Sequence, residues 1–296
     1  MASLAQAVAL VSATLWVSTC RAASPAVDPA FTLKDVPGFD FGRLPASAQK
    51  ELVQVLTDEF DYCGRPLTLL ASLKKGDACK HTQRMVSWAA KQCAEGAPAT
   101  EVIVMLSRYN QSFGASRTKF KVDERMCKGP ADAKLTLVEF ADFECPACGA
   151  ARPVVEELTK KRPQVRVCYA PFPLSSHPFG KASAQAALYA RDQGKFWPMH
   201  DALFDNQMAL SDTKIKELAK GLGLDAEAVS KVLANDKYVG ELNVSKDLGK
   251  TAGVDSTPTA FLNGRKLTLG WTIESLLLSI DDEMEWVGSN NNWPVN

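Results

Sequence analysis

The residues best suited to chemistry are two cysteines, Cys145 and Cys148, which are separated only by Pro146 and Ala147. They follow an apolar run at residues 135–140 and precede apolar residues at helical spacing, so the pattern predicts a helix beginning directly after the first cysteine. Proline suits the first helical position, where no N–H is needed. The free N–H groups of a helix N-terminus favour a thiolate over a thiol. Cys145 is therefore the predicted nucleophile, and Cys148, one turn on, is the predicted resolving thiol.

A Cys-x-x-Cys pair can alternatively supply half of a tetrahedral zinc site. Such a site needs a second well-spaced pair of ligands, and the sequence shows none. We therefore expect neither a metal nor a cofactor, and we interpret the pair as a two-electron dithiol switch.

A second motif lies far downstream, where residues 255–261 read Asp-Ser-Thr-Pro-Thr-Ala-Phe and are followed by Asn263-Gly264. Together with the strand, the Cys-Pro-Ala-Cys turn and the helix, this motif resembles the DsbA-like branch of the thioredoxin superfamily. The resemblance covers residues 131–287, more than half of the chain. It implies an α/β thioredoxin-like fold with an all-α insertion, and a protein-disulfide oxidoreductase of uncertain direction: oxidase, reductase or isomerase.

The resemblance also implies roles for residues outside the dithiol. Glu139, six residues before Cys145, matches a buried acid beneath the active site, which would exchange a proton with Cys148; an exposed carboxylate on the strand is the alternative. Pro258 matches a cis-proline that leaves neighbouring backbone free to pair with an extended substrate. The residues expected to contact substrate are Thr257, Pro258, Pro146 and Ala147.

The dipeptide between the cysteines bears on the redox potential. Pro146 and Ala147 offer no side-chain donor to a thiolate, whereas the strongly oxidising members of the resembled family have a histidine there. We therefore expect a potential between that of a thioredoxin and that of a strong oxidase.

The composition describes an ordinary globular chain and sets limits on its partners. The 296 residues are 46% hydrophobic and 23% charged, which suits about two domains. Lys plus Arg and Asp plus Glu both number 34, so no overall charge favours nucleic acid. The expected partners are unfolded or partly folded exported proteins and a membrane or soluble redox partner.

The first 23 residues are interpreted as a signal peptide, because residues 1–19 carry no charged side chain and small residues follow at Ala22 and Ala23. Two alternatives stay open. One is a lipoprotein signal in which Cys20 is acylated, and the other is a membrane anchor. All three place the protein in the periplasm or another extracytoplasmic compartment. Residues 24–45, rich in proline, are interpreted as a linker.

Residues 46–115 are predicted to form a small N-terminal helical domain. Three roles for it stay open: to dimerise, to hold a client or only to cap the core. His81 in this region is expected to be at the surface or in a cap. Cys79 and Cys93 lie about 21 Å apart along one predicted helix, too far for a disulfide. Cys63 therefore pairs with one of them or with neither, and Cys63 and Cys79 are structural disulfide candidates.

Residues 118–288 are predicted to form the thioredoxin-like domain, with a helical insert at about residues 177–252 and a polar tail at residues 289–296. Its predicted elements are strands at 118–122, 135–141 and 165–170, a hairpin at 257–269 around Asn263-Gly264, and a closing helix at 273–287.

In the resembled sheet the first and third strands are parallel neighbours, which here are residues 118–122 and 165–170. Cys127 and Cys168 lie near their C-terminal ends, so a disulfide between them is expected. Two separate buried thiols are the alternative.

A function of another class is also considered for the whole chain. The thioredoxin fold could serve as a binding or chaperone module in which Cys145 and Cys148 form a merely structural bridge. A fold shared with glutathione transferases is a third and more distant interpretation, because the dithiol motif is complete.

Overall fold

A computed structural model describes Leu33 and residues 36–293. The signal peptide, Cys20 and most of the interpreted linker lie outside these residues. The described part belongs to one compact unit. Within it, no helix is both long enough and apolar enough to cross a membrane.

A five-stranded mixed sheet forms the centre of the fold, with the strand order β1-β3-β2-β4-β5. The parallel pair β2 and β3 is joined through helix α5 (Pro146–Lys161), and the other neighbouring strands are antiparallel. The strands are β1 (Cys127–Lys128), β2 (Leu135–Ala141), β3 (Val165–Pro171), β4 (Thr259–Leu262) and β5 (Arg265–Lys266).

Helices cover the sheet on both faces. On one face, Leu137 and Val167 pack with Leu158 of α5 (Pro146–Lys161) and Ile280 of α11 (Ile273–Gly288). On the other face, Phe140, Phe172 and Phe261 form an apolar cluster that Leu248 adjoins. Burial on both faces explains why β2 reads as a continuous apolar run with a single charged residue. The predicted class, a thioredoxin-like α/β fold with an all-α insertion, is confirmed.

One predicted strand is wrong. Residues 118–122 form no strand, although they alternate polar and apolar residues. Phe120 and Val122 instead pack onto the apolar cluster of the sheet, and Thr118 makes one backbone hydrogen bond of 2.9 Å to Gly264. The first strand is the short β1, which runs antiparallel to β3. The predicted parallel pairing of the first and third strands is therefore wrong as well.

The hairpin between β4 and β5 turns at Asn263-Gly264, as predicted. Both residues have positive φ, 48° and 80°, which a type I′ turn requires. The carbonyl oxygen of Thr118 approaches Gly264 so closely that a Cβ there would lie 2.2 Å from it. Glycine is therefore required at this turn by both its φ and its neighbour.

Among the described residues, four α-helices precede the sheet and match the expected helical region. They pack on one another, and α3 and α4 also contact α11 and β5. A disulfide joins Cys63 to Cys79, the residue that caps α3, and Cys93 is a buried free thiol. The helices are α1 (Ala46–Asp58), α2 (Leu69–Lys75), α3 (Lys80–Ala94) and α4 (Ala99–Phe113).

Three expectations do not hold, one for these helices, one for the C-terminal tail and one for the linker. His81 is fully buried rather than at the surface, with its Nδ1 atom 2.9 Å from Asp282 on α11. Its ring stacks on Trp293, with the centroids 3.6 Å apart, so the interpreted polar tail is buried at this tryptophan. Val36 and Phe41 are also buried, so the described end of the interpreted linker packs on the molecule. For His81 the burying surface is distant in sequence, because it is formed by α11 and Trp293.

Five helices between β3 and β4 form the predicted helical insert. Their apolar faces share one core with Phe143, Cys145 and Cys148. The insert therefore packs directly on the segment of residues 142–149, called the active-site turn below. The helices are α6 (Gly180–Asp192), α7 (Phe196–Asp205), α8 (Asp212–Gly221), α9 (Ala226–Ala234) and α10 (Val239–Thr251).

Candidate active site

The dithiol lies where β2 ends and α5 begins. Cys145 is the N-cap of α5 and Pro146 is its first residue, as the sequence pattern predicts. The Cys145 carbonyl accepts hydrogen bonds from the N–H groups of Cys148 and Gly149, at 3.0 and 3.1 Å. Both cysteine side chains are thus held in the first helical turn, where the positive end of the helix dipole lies.

The two thiols differ in exposure. Cys145 is 6% exposed and Cys148 is 0% exposed, whereas Pro146 and Ala147 are exposed around them. Burial raises the pKa of Cys148 above its usual range. The hydrogen bond from the Asp142 N–H, at 3.5 Å, lowers this pKa only in part. The more accessible thiol is therefore the one at the helix N-terminus.

The peptide bond between Thr257 and Pro258 is cis, and it lies beside the dithiol. The Cys145 thiol donates a hydrogen bond of 3.3 Å to the Thr257 carbonyl. The Pro258 carbonyl accepts from the indole of Trp271 at 3.3 Å. The structure thus brings together two motifs that are more than a hundred residues apart in the chain.

Glu139 is buried in the middle of the sheet, between Tyr169 of β3 and Ala260 of β4. The alternative of an exposed strand carboxylate is therefore wrong. Burial raises the pKa of its carboxyl group from 4.5 to about 7. A cavity of about 30 Å³ adjoins it, and Lys128 and Glu156 are among the residues that line this cavity. This carboxyl group can take up or release a proton close to neutral pH.

Three residues that contact the active-site turn were not found from the sequence. Asp142 follows β2 and is buried, His177 lies within hydrogen-bond distance of its carboxylate, and Gln207 donates to two carbonyls of the turn. For Asp142 the sequence offers a usable signal, namely an aspartate directly after a buried strand. The other two come from the insert and carry no local signal.

The cysteines expected to be structural form two disulfides in the structure. Cys127 and Cys168 are direct cross-strand partners of β1 and β3, with Cα atoms 4.0 Å apart, and their sulfurs are bonded. The pairing is the expected one, although it joins antiparallel strands rather than the ends of parallel ones. The bond between Cys63 and Cys79 lies among the N-terminal helices.

Among the described residues, one group of potential metal ligands comes close together, namely Asp61, Cys63 and Cys79. Both sulfurs are bonded to each other, and the Asp61 carboxylate accepts hydrogen bonds from Ser72 and Arg65. These three residues therefore act as a cross-link between the first helices.

Comparison with known protein families identifies the family of the chain. Residues 121–282, more than half of the chain, match the family model described as Thioredoxin. The fold and the Cys145–Cys148 pair are those of a thioredoxin-like dithiol protein. The chain belongs to the thioredoxin family.

One solved structure, of BdbD, shows the same fold. Oxidised BdbD from Bacillus subtilis aligns with a TM-score of 0.51 at 18% identity, over 57% of this chain and 99% of that one. A thioredoxin-like oxidoreductase from Silicibacter pomeroyi aligns with a TM-score of 0.47 at 28% identity, over 54% of this chain and 92% of that one.

Curated relatives are longer proteins. A Na(+)/H(+) antiporter NhaA 3 of Salinispora tropica is 37% identical over 159 residues, which are 53% of this chain and 24% of the antiporter. An antiporter NhaA of Herminiimonas arsenicoxydans is 37% identical over 142 residues, 47% of this chain and 22% of that protein. The chain spans about a quarter of the length of these relatives.

Proposed function

We propose that the protein is an exported thiol:disulfide oxidoreductase that forms, reduces or isomerises disulfides in other exported proteins through its Cys-Pro-Ala-Cys dithiol. One observation carries the proposal. Cys145 caps a helix N-terminus and lies 3.3 Å from the carbonyl before the cis-proline, while Cys148 is fully buried behind it. This arrangement supports Cys145 as the attacking thiol and Cys148 as the resolving thiol.

The chemistry proceeds in two displacements when a client is reduced. The Cys145 thiolate attacks one sulfur of a client disulfide, which forms a mixed disulfide and releases the other client sulfur as a thiolate. Cys148 then loses its proton and attacks the Cys145 sulfur. The client leaves with two thiols, and a disulfide between Cys145 and Cys148 remains in the protein, which has given two electrons to the client. Oxidation of a client is the same sequence in reverse.

Glu139 is the proposed acid and base for Cys148. A thiol whose pKa is raised by burial needs a proton acceptor inside the protein, and a carboxyl group of pKa about 7 is suited to that task at neutral pH. The exposed Pro146 and Ala147, with the backbone at Thr257, are the proposed surface for an extended client segment.

The proposed compartment is the periplasm or another extracytoplasmic space, and the N-terminal residues are proposed as a signal. The two disulfides outside the dithiol support this, since such bonds persist in oxidising compartments. A membrane or soluble redox partner must return Cys145 and Cys148 to their starting oxidation state after each reduction or oxidation of a client. The aligned region is too small a part of the antiporters for ion transport to be proposed here.

Reduction of insulin by the purified chain tests the proposal, with Cys145→Ser as the control. We expect turnover in the wild type and none in the variant. Equal rates would leave only a binding or chaperone module. Trapping mixed disulfides with a Cys148→Ala variant in cells then identifies the clients and the redox partner.

A further inference from the structure

Asp142 is a buried carboxylate that lies three residues before Cys145, and its side chain is 0% exposed. It accepts a hydrogen bond of 2.8 Å from the Leu174 N–H and one of 2.9 Å from the Glu144 N–H. The Nδ1 atom of His177 lies 2.7 Å from the oxygen that Leu174 also contacts. Since an ionised carboxylate only accepts, the histidine is the donor.

The backbone of Asp142 contacts both cysteines. Its N–H donates to the Cys148 sulfur at 3.5 Å, and its carbonyl accepts from the Cys145 N–H at 3.1 Å. Any movement of Asp142 therefore displaces both reacting groups. Its side chain is fixed by the loop between β3 and α6, which is the first loop of the helical insert.

The same loop and a second part of the insert hold the rest of the turn. The Glu144 carboxylate accepts from the Phe179 N–H at 2.6 Å. The Gln207 amide donates to the carbonyls of Phe143 and Cys145, both at 2.8 Å. The turn is thus held from two sides by segments of the insert, and His177 supplies the side-chain donor to its buried charge.

The approach of α6 to the turn is close. A Cβ at Gly180, the first residue of α6, would lie 2.7 Å from the Asp142 carboxylate. The glycine leaves the carboxylate room to face His177. This gives a second, independent way to disturb the contact without removing the histidine.

We propose that His177 and Asp142 form a positioning pair that stabilises the Cys145 thiolate. Without its histidine partner, the buried carboxylate would carry a less compensated negative charge beside the developing thiolate, which disfavours that thiolate. Loss of the histidine would also remove one of the contacts that hold Asp142 in place, and with it the Asp142 backbone against both cysteines. The inference rests on the proposed function, because it takes Cys145 as the nucleophile.

The test measures the rate at which iodoacetamide alkylates Cys145 in the reduced full chain at about pH 6, where the thiolate fraction limits the rate. Peptide mass spectrometry separates Cys145 from the other thiols. We expect His177→Leu to slow alkylation roughly tenfold, which corresponds to about 1.4 kcal/mol and lies near the lower end of what a hydrogen bond to a charged group contributes. The dithiol should also become more reducing, because its reduced form is less stabilised.

Two further variants and two controls accompany it. His177→Asn places an amide donor near the position of Nδ1 and should restore the rate to within about twofold of wild type. Gly180→Ala displaces the carboxylate and should slow alkylation with the histidine intact. Gly240→Ala in α10, where a Cβ meets nothing within 4 Å, and Lys181→Ala, which breaks an exposed ion pair of the insert, should both leave the rate unchanged.

Unchanged alkylation and potential in His177→Leu, with only a lower Tm, would overturn the inference, because the pair would then be merely structural. So would a His177→Asn variant as slow as His177→Leu. Both outcomes leave insulin reduction by the wild type intact, so the proposed function would survive them. A wild-type Cys145 no more reactive than a small reference thiol would instead reject the nucleophile assignment and the inference together.

Discussion

Two buried acidic groups at the active site, the Glu139 carboxyl group and the Cys148 thiol, have raised pKa values. Glu139 has a pKa of about 7 and Cys148 has a pKa above its usual range, both because burial disfavours the charged form. Within the part of the chain that the structure describes, neither group makes an ion pair that would offset its burial. The site therefore favours the neutral forms at rest and exchanges one proton when Cys148 reacts.

Glu139 should make the stability of the protein depend on pH. Its folded pKa of about 7 exceeds the unfolded value of 4.5, so the folded state binds more protons between these values. The free energy of unfolding should fall as the pH rises from about 4.5 to 7, by on the order of 3 kcal/mol. Glu139→Gln should lack most of this fall. Urea denaturation across this range measures it, and equal slopes for the two proteins would contradict the expectation.

The redox potential of the dithiol is a second prediction at the residue scale. Neither Pro146 nor Ala147 can donate a side-chain hydrogen bond to the Cys145 thiolate. The reduced form is therefore stabilised by the helix N-terminus without that help. We expect equilibration with glutathione to give a potential well below about −120 mV, and Ala147→His should raise it. A wild-type potential at the strong-oxidase end of the scale would show that the dipeptide does not govern it.

At the scale of elements, α11 is the helix that joins the N-terminal helices to the sheet. Its Asp282 is fully buried and contacts Tyr109, His81 and Arg84. Its Glu283 is paired with the buried Arg265 of β5 at 2.8 Å. Since buried charges are costly when unpaired, each partner from α3 and α4 matters to the stability of the sheet domain.

Tyr109→Phe should therefore destabilise the whole molecule. The Tyr109 hydroxyl donates a hydrogen bond of 2.8 Å to Asp282 within the interface. Its loss should lower the free energy of unfolding by about 1–3 kcal/mol without changing insulin reduction. Tyr62→Phe is the matched control, because that hydroxyl bonds to the less buried Glu59 and its loss should cost less. Equal effects on urea denaturation would mean that the interface charge is not the cause.

The bond between Cys127 and Cys168 is the second element-scale feature. It closes a loop of 41 residues across β1 and β3, and a chain-entropy estimate for that length is about 4 kcal/mol. Replacing both residues by alanine should lower the free energy of unfolding by about 2–4 kcal/mol while the Cys145 dithiol keeps its potential. Denaturation and glutathione equilibration measure the two quantities. A changed potential would indicate that this pair takes part in the redox cycle.

At the scale of the whole molecule, the dithiol and the cis-proline lie beyond residue 118, while α11 packs against helices that end at residue 113 or earlier. Deletion of residues 24–115 should leave insulin reduction per folded molecule largely intact, because it removes no part of the dithiol or cis-proline. It should lower the midpoint of urea denaturation, because Asp282 loses its tyrosine, histidine and arginine partners. A folded truncation without a reactive Cys145 would show that the N-terminal helices contribute to the site.

The sequence determined the features that depend on neighbouring residues. The Cys-Pro-Ala-Cys turn follows from Pro146 at the helix start, and the hairpin follows from Asn263-Gly264, because each depends on backbone preferences over a few residues. The predicted strand at residues 118–122 failed because alternation alone does not supply a strand to pair with.

Only the tertiary structure decided the features that join distant segments. His81 is buried because α11 and Trp293, some two hundred residues later, cover it. The contacts of Asp142 with His177 and of Gln207 with Cys145 span 35 and 62 residues. Side-chain types alone do not indicate which of many polar residues will meet. That choice is made by the packing of the insert on the sheet, which brings a few of them within hydrogen-bond distance and leaves the rest in solvent.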